Sequence, residues 1–283
     1  MIINEEYLDH FIEGALREDV GTGDHSSLAC IPPQKSGKAS LLIKQDGILA
    51  GMDVAFRVFK KLESGIGFTP LLQDGSKIKA GDQAFQVEGK VLTLLKAERL
   101  VLNVMQRMSG IATETQKYVK ELEGLHTRIL DTRKTTPGMR MLEKAAVKIG
   151  GGTNHRMGLY DMIMLKDNHI AFAGGVEKAI DATQEYLEKN HLDLRVEIEA
   201  QSFDDIERIL NHGGINMLLL DNFSAGDMHK AVQMIGGRYQ TEASGGITLA
   251  TIRDYALSGV DFISVGALTH QIKSLDMSLK ATF

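Results

Sequence analysis

The sequence predicts an α/β protein in two parts, a small turn-rich α/β module over 1–110 and a partial parallel α/β barrel over 111–283. Three observations carry that expectation. Between Ala39 and Val91, short β-like runs alternate with Asp46-Gly47, Asp74-Gly75 and Gly81-Asp82, the residue pairs that make tight turns. Beyond about residue 125 strand and helix patterns alternate regularly, as in parallel β/α units. The polar residues ending the last four strands, Glu199, Asp221, Ser244 and Gly266, lie 22, 23 and 22 positions apart, which fits one β/α unit to each interval.

Along the chain, residues 4–18 carry Tyr7, Leu8, Phe11, Ile12, Ala15 and Leu16 at helical spacing, and GTGDHSS breaks that helix. ASLLIK, GILAG, AFQVEG and VLTLL read as strands, with one helix over 54–62. Lys96 to Glu123 restores helical periodicity through Leu100, Val101, Val104, Met105, Met108 and Ile111. An interruption is expected at Ser109-Gly110, and the domain boundary is drawn there. Strands follow near 127–130, 160–165, 194–199, 216–220, 239–243 and 260–265, with helices such as 202–212 and 248–257 between them. Six strands fall short of a complete (β/α)8 barrel, so the barrel is partial, or irregular over 137–159.

Bulk properties remove several classes of protein. At 283 residues and 43% apolar composition there is ample material for a packed core. No apolar run is long enough to span a membrane, and the acidic opening lacks the basic start of a signal peptide, so a cytoplasmic protein is expected. A single cysteine, Cys30, makes neither an intrachain disulfide nor a thiolate metal cage. Zinc spacing, a P-loop, a dinucleotide fingerprint and a GxSxG elbow are all missing. No DNA-reading helix pair is recognisable, and neither nucleic acid nor membrane is an expected partner.

Charge is distributed unevenly. The chain is −5 overall, yet between Arg128 and Lys166 eight Lys or Arg face three Asp or Glu, a local excess that suits an anion. Arg140, Lys144 and Lys148 recur at helical spacing and read as a solvated face. Arg133, Lys134, Arg156 and Lys166 instead follow short apolar runs, and with His155 they offer forked and point cations for a small carboxylate plus phosphates. His155 has an equally plain reading as a satisfied loop histidine. His169 and Asp167 read as residues that fix their loop.

Strand ends converge in parallel α/β folds, so Arg133, Lys166, Glu199, Asp221, Ser244 and Gly266 are expected at one mouth. Ser244-Gly245-Gly246 and Val265-Gly266-Ala267 are candidate phosphate loops, where glycine lets an anion approach backbone N–H groups. The alternative is that these glycines only make tight turns. Glu199 and Asp221 suit Mg²⁺ held against a diphosphate, directly or through water, with Glu197 in reserve on the same strand face. Their other reading is ion pairing with the basic rim.

EDVGTGDHSS (18–27), AERLVLNVMQRMSGIAT (97–113), DTRKTTPGMR, GGGTNHRMGLYD, LKDNH, EIEA, LLLDNF, EASGGI and DFISVGALTH together resemble the quinolinate phosphoribosyltransferases over nearly the whole chain. Departures are small: Ser26 where threonine is frequent, and Ala145 where tyrosine is common. The resemblance implies an N-terminal α/β sandwich domain and an open α/β barrel, paired as a homodimer whose sandwich covers the partner's barrel, with a hexamer of dimers as a larger assembly. It implies that Arg99 reaches the carboxylates of quinolinate in the neighbouring subunit; by sequence alone Arg99 is a solvated helix residue. Arg133, His155, Arg156 and Lys166 would line the same pocket, and Lys134, Glu199 and Asp221 would face phosphoribosyl pyrophosphate and its Mg²⁺. Lys134, Lys166, Glu199 and Asp221 are the expected catalytic groups. Ser244 to Gly246 and Val265 to Ala267 would take the 5′-phosphate. The rivals are a phosphoribosyltransferase with another acceptor, a phosphate-sugar isomerase or decarboxylase on a similar barrel, and a non-catalytic anion sensor.

Overall fold

Runs of Val, Ile and Leu fold as strands where the flanking turns let them pair, and the computed structural model describes residues 4–282 of the outcome. In chain order the first elements are α1 (Glu5–Val20), α2 (His25–Cys30), β1 (Ser36–Ile43), β2 (Gly47–Ile48), α3 (Met52–Leu62), β3 (Gly67–Pro70), β4 (Lys77–Ile78), β5 (Gln83–Lys90) and α4 (Val91–Glu121). There follow β6 (Arg128–Leu130), α5 (Arg140–Ile149), β7 (Ile163–Leu165), α6 (Asp167–Ala173), α7 (Val176–Asn190), β8 (Val196–Ala200) and α8 (Phe203–His212). The last are β9 (Met217–Asp221), α9 (Ala225–Ile235), β10 (Gln240–Ser244), α10 (Ile252–Ala256), β11 (Phe262–Ser264), α11 (Ala267–His270) and β12 (Met277–Thr282). No helix among the described residues is long and apolar enough to cross a membrane.

Two compact units share the chain. One takes the residues up to Gln116, Lys134–Gly151 and the residues from Ala267 onward; the other takes Lys117–Arg133 and Gly152–Gly266. The first unit must recover the end of the chain because β12 pairs antiparallel with β1, Leu279 opposite Leu41. Its sheet runs β12-β1-β5-β3, and Val54, Ala55, Val58 and Phe59 of α3 bury one apolar stripe. Phe85 from β5 is the hub of an aromatic cluster, with ring centroids 6.0 Å from Phe59 and 4.6 Å from Phe68. Such offset and edge contacts add to the area term of burial.

The second unit is a six-stranded parallel sheet in the order β6-β11-β10-β9-β8-β7. All six expected strands are present, and consecutive strands are neighbours throughout the run from β7 to β11. A closed barrel would also pair β6 with β7. Here β6 pairs with β11, and among the described residues its other edge makes only the isolated bridge Leu130–Thr153. The barrel is therefore open where residues 131–162 intervene.

Three local expectations are corrected by the structure. VLTLL is the first turn of α4 rather than a strand, since its apolar residues continue a helical stripe into Leu94, Ala97 and Leu100, all buried. The helix also passes through Ser109-Gly110 without a break. Ser109 Oγ donates to the Ala50 carbonyl at 3.2 Å and accepts the Ala50 N–H at 2.9 Å, and Gly110 lies against the Lys273 carbonyl, so both residues are there for close packing. The span 137–159 contains α5, and six consecutive residues of that helix, Leu142 to Val147, are buried. Lys144 is thus fully buried and Arg140 half-buried, leaving only Lys148 of that supposed solvated face exposed. GTGDHSS breaks α1 at Gly21 as expected, and its second half opens α2, whose Asp24 cap accepts the Ser27 N–H at 3.1 Å.

Replacing Gly110 by Ala would drive a Cβ into the Lys273 carbonyl. Thermal or denaturant unfolding of Gly110→Ala should show a loss of about 1–3 kcal/mol, the usual cost of overpacking a rigid contact.

Candidate active site

Side chains at i and i+2 share one face of a strand, and register then aligns those faces across a parallel sheet. Glu197 is opposite Met217 and Glu199 opposite Leu219. Leu219 is in turn opposite Glu242, and Asp221 opposite Ser244. One face of the sheet therefore carries Glu197, Glu199, Asp221, Glu242 and Ser244, while Val196, Ile198 and Ala200 face the other way and are buried. Acids on a buried sheet face are costly unless each finds a partner.

The carboxyl ends of the strands bring the expected residues of this unit together as a rim. Glu199 is 6% exposed and lies 3.5 Å from Lys166 Nζ, and its other oxygen accepts Gln201 Nε2 at 2.9 Å. Asp221, half-buried at the end of β9, accepts Asn222 Nδ2 at 2.7 Å. Lys166 is the N-cap residue before α6, with an exposed side chain, and its own N–H is taken up by His169 Nδ1 at 3.0 Å. That bond bears out the loop-fixing reading of His169.

Arg156 and Arg133 feel one another. Burial first, and then the Arg133 charge, hold the Arg156 guanidinium below its ordinary value, against the opposing pull of Glu197 and Asp161. Two repelling guanidinium groups make a local field that a bound carboxylate would relieve. Arg156 is aimed by donating from Nη1 to the Met162 carbonyl at 3.1 Å.

His155 is nearly sealed, with a side chain only 7% exposed, and its Nε2 lies 3.1 Å from both Glu197 Oε2 and Glu242 Oε2. Burial disfavours a charged ring, whereas the two carboxylates favour one and together would carry its pKa to about 10. The Arg156 N–H, however, donates to Nδ1 at 2.7 Å and occupies the lone pair that a second ring proton would need. The ring is accordingly neutral with its proton on Nε2. Burial and the neighbouring Glu242 charge push Glu197 up to about 7. His155, Glu197 and Glu242 also have the spacing of a metal triangle. A protonated Nε2 has no lone pair to offer one, which argues against that use.

The glycine loops divide by cause. Gly245 has φ +102, and any side chain on it would strike Asn222 Oδ1, so close packing alone demands glycine there. Gly246, at φ +60, has open space around its Cα, as an anion-accepting backbone would. Val265 spends its N–H on the Leu130 carbonyl at 3.0 Å and therefore has none for a phosphate. Gly266 precedes α11 and belongs to the rim.

Arg99, Lys134 and Ala267 belong to the other compact unit. Arg99 and Lys134 are exposed, and Ala267 opens α11. The Lys134 backbone is pinned, its carbonyl accepting Thr269 Oγ1 at 2.8 Å. Arg107 reinforces that turn by donating to Glu143 Oε1 at 2.7 Å, to Thr136 Oγ1 at 2.8 Å and to the Thr269 carbonyl at 3.1 Å. Sequence reasoning overlooked Arg107, Asp131 and Glu242. Glu242 left a signal, because it sits two residues before a strand-end Ser on a run that should be apolar.

Comparisons with known proteins show the family of the chain. Residues 24–109 match the family described as Quinolinate phosphoribosyl transferase, N-terminal domain, and residues 111–280 match its C-terminal domain. The chain belongs to the quinolinate phosphoribosyltransferase family. A Nicotiana tabacum relative, quinolinate phosphoribosyltransferase [decarboxylating] 1b, is 44% identical over 95% of this chain and 81% of its own length. The probable nicotinate-nucleotide pyrophosphorylase [carboxylating] of Bacillus subtilis is 38% identical over 98% of this chain and 93% of its own. Among solved structures, NadC from Streptococcus pyogenes superposes with a TM-score of 0.94 at 39% identity, covering 100% of this chain and 99% of that one. The mixed α/β fold with an open parallel sheet is thus the fold of the quinolinate phosphoribosyltransferase family.

Gly245→Ala should lower stability by about 2–3 kcal/mol through the clash and the positive φ together. Adding Asn222→Ala removes the side-chain part of the clash but keeps the Asn222 backbone N at 2.9 Å and the positive φ of both residues, so thermal melts of the single and double variants should show at most partial recovery.

Proposed function

We propose that this chain transfers the phosphoribosyl group of phosphoribosyl pyrophosphate to quinolinate and decarboxylates the adduct, giving nicotinate mononucleotide, CO₂ and pyrophosphate. The observation that carries the proposal is the pairing of Arg133 and Arg156 in a chain of this family, a doubly cationic seat for an acceptor with two carboxylates. A monocarboxylate acceptor would not require that density of charge.

Arg133 and Arg156 bind the carboxylates of quinolinate, with Lys166 beside them. Arg99 of a second subunit completes the seat in a homodimer. Lys134 faces the diphosphate, and the backbone of the Ser244 to Gly246 loop, with Gly266, takes the 5′-phosphate. Glu199 and Asp221 suit Mg²⁺ by donor chemistry, being hard oxygen ligands at the ends of neighbouring strands. The ion would supply charge neutralisation on the departing diphosphate.

The pyridine nitrogen attacks the anomeric carbon; the N–C bond forms as the C–O bond to diphosphate breaks. Positive charge spreads over the ribose ring in that transition state, and the protein's contribution is to hold both polyanions in line while cations stabilise the leaving group. Once the nitrogen is quaternary the ring becomes an electron sink. The bond to the 2-carboxylate then breaks, CO₂ leaves, and the resulting carbanion beside N⁺ takes up a proton. The 3-carboxylate stays on its arginine.

The direct test mixes purified protein with quinolinate, phosphoribosyl pyrophosphate and Mg²⁺ and follows nicotinate mononucleotide and CO₂, with nicotinate as the control acceptor. Turnover with quinolinate alone is expected; equal turnover with nicotinate would overturn the choice of acceptor. Arg133→Ala and Arg156→Ala should each raise KM for quinolinate by about 10- to 100-fold, the worth of a charge-assisted forked contact. Mixing Arg99→Ala with Arg156→Ala protein should restore about one working site per dimer if the site is shared between subunits, and no recovery would refute the sharing.

A further inference from the structure

Two buried carboxylates facing one neutral ring are an expensive way to fill a core. Leu or Met of similar volume would be at least as stable at such positions, so stability alone does not account for Glu197 and Glu242. They stand on β8 and β10, with β9 between them, at 0% and 1% exposure. Glu197 Oε1 and Oε2, Glu242 Oε2 and His155 Nε2 itself are all buried without a well-directed hydrogen bond among the described residues, so ring and acids meet only by close contact. What both acids face is His155 Nε2, 3.1 Å from each.

The ring passes position onward. Its Nδ1 receives the Arg156 N–H at 2.7 Å, and the His155 N–H itself goes to Asp131 Oδ1 at 2.9 Å. Asp131 is fully buried and is held in turn by Asn154 Nδ2 at 2.5 Å. Both ring nitrogens are therefore turned toward protein groups. A carboxylate on one side alone would leave the ring free to swing about its side-chain bonds, whereas contacts of 3.1 Å from two strands hold its Nε2 edge between them.

We propose that Glu197 and Glu242 are positioning residues for Arg156. They grip His155 from two strands, and the gripped ring fixes the backbone from which the substrate-binding guanidinium projects. The inference rests on the functional reading above, in which Arg156 binds a carboxylate of quinolinate.

Glu242 is the position to change, because Glu197 shares its strand with Glu199. Steady-state kinetics of the full-length protein would compare Glu242→Gln, which keeps an acceptor oxygen, with Glu242→Leu, which removes it, alongside thermal melts. KM for quinolinate should rise about tenfold or more in the Leu variant and about two- to threefold in the Gln variant, while KM for phosphoribosyl pyrophosphate stays within about twofold in both. Removing one member of a buried polar cluster can cost stability, so the melts establish that each variant is folded at the assay temperature. Glu242→Asp withdraws the carboxylate by about 1.5 Å while keeping its charge, and serves as the second variant with the same selective rise. A Leu or Asp variant that retains the wild-type KM for quinolinate overturns the proposal, as does an equal rise for both substrates. A wild type that does not turn over quinolinate brings down the functional reading and this inference together; an active wild type with unaffected Glu242 variants brings down only the inference.

Discussion

The organising constraint is the burial of acids on one face of the parallel sheet. Glu197, Glu199 and Glu242 occupy positions where a strand would normally present Val or Leu, and all three are nearly sealed from water. A carboxylate in that setting must be paired, protonated or bonded, because desolvation otherwise exceeds what packing returns. The neighbouring structure reads as the answer to that demand: Lys166 and Gln201 bond Glu199, while Glu197, beside Glu242 and His155, is pushed towards its protonated form.

From that constraint the electrostatics of the rim follow. A chain with net charge −5 presents Arg133, Arg156 and Lys166 on one unit, and the acids beneath them supply a counter-field that keeps cations gathered without a ligand. Arg156 illustrates the balance. Its guanidinium is destabilised by burial and by Arg133 but supported by Glu197 and Asp161, so it remains charged while being poised to gain from an incoming anion. A site built this way spends little reorganisation on binding, since its charges are already in place.

The same side chains also explain why the barrel is open. The stretch that would close it, after β6, is taken up by Asp131, Asn154 and His155, whose hydrogen bonds tie the loop to the sheet through Asp131 instead of through a strand ladder. Closure is given up where the binding loop needs to run, which is the usual place for functional residues in parallel α/β folds.

Strand number, strand ends and the placing of Lys166 beside Glu199 and of Glu199 and Asp221 on neighbouring strand ends were legible without coordinates, because periodicity and spacing are local properties that a parallel sheet converts directly into position. The continuity of α4 through Ser109-Gly110 was not, since the glycine answers to Lys273, 163 residues away in the sequence. Lys144 misled for the same reason: helical spacing shows which residues share a face, but what covers that face depends on distant segments. The return of β12 to β1, the pinning of Lys134 by Thr269 and the gripping of His155 by Glu197 and Glu242 all join residues far apart in sequence. The amino-acid order by itself determined the elements and the chemistry they carry, and only the folded chain decided which polar groups meet, because hydrogen bonds and ion pairs are settled by proximity in space, to which sequence distance is no guide.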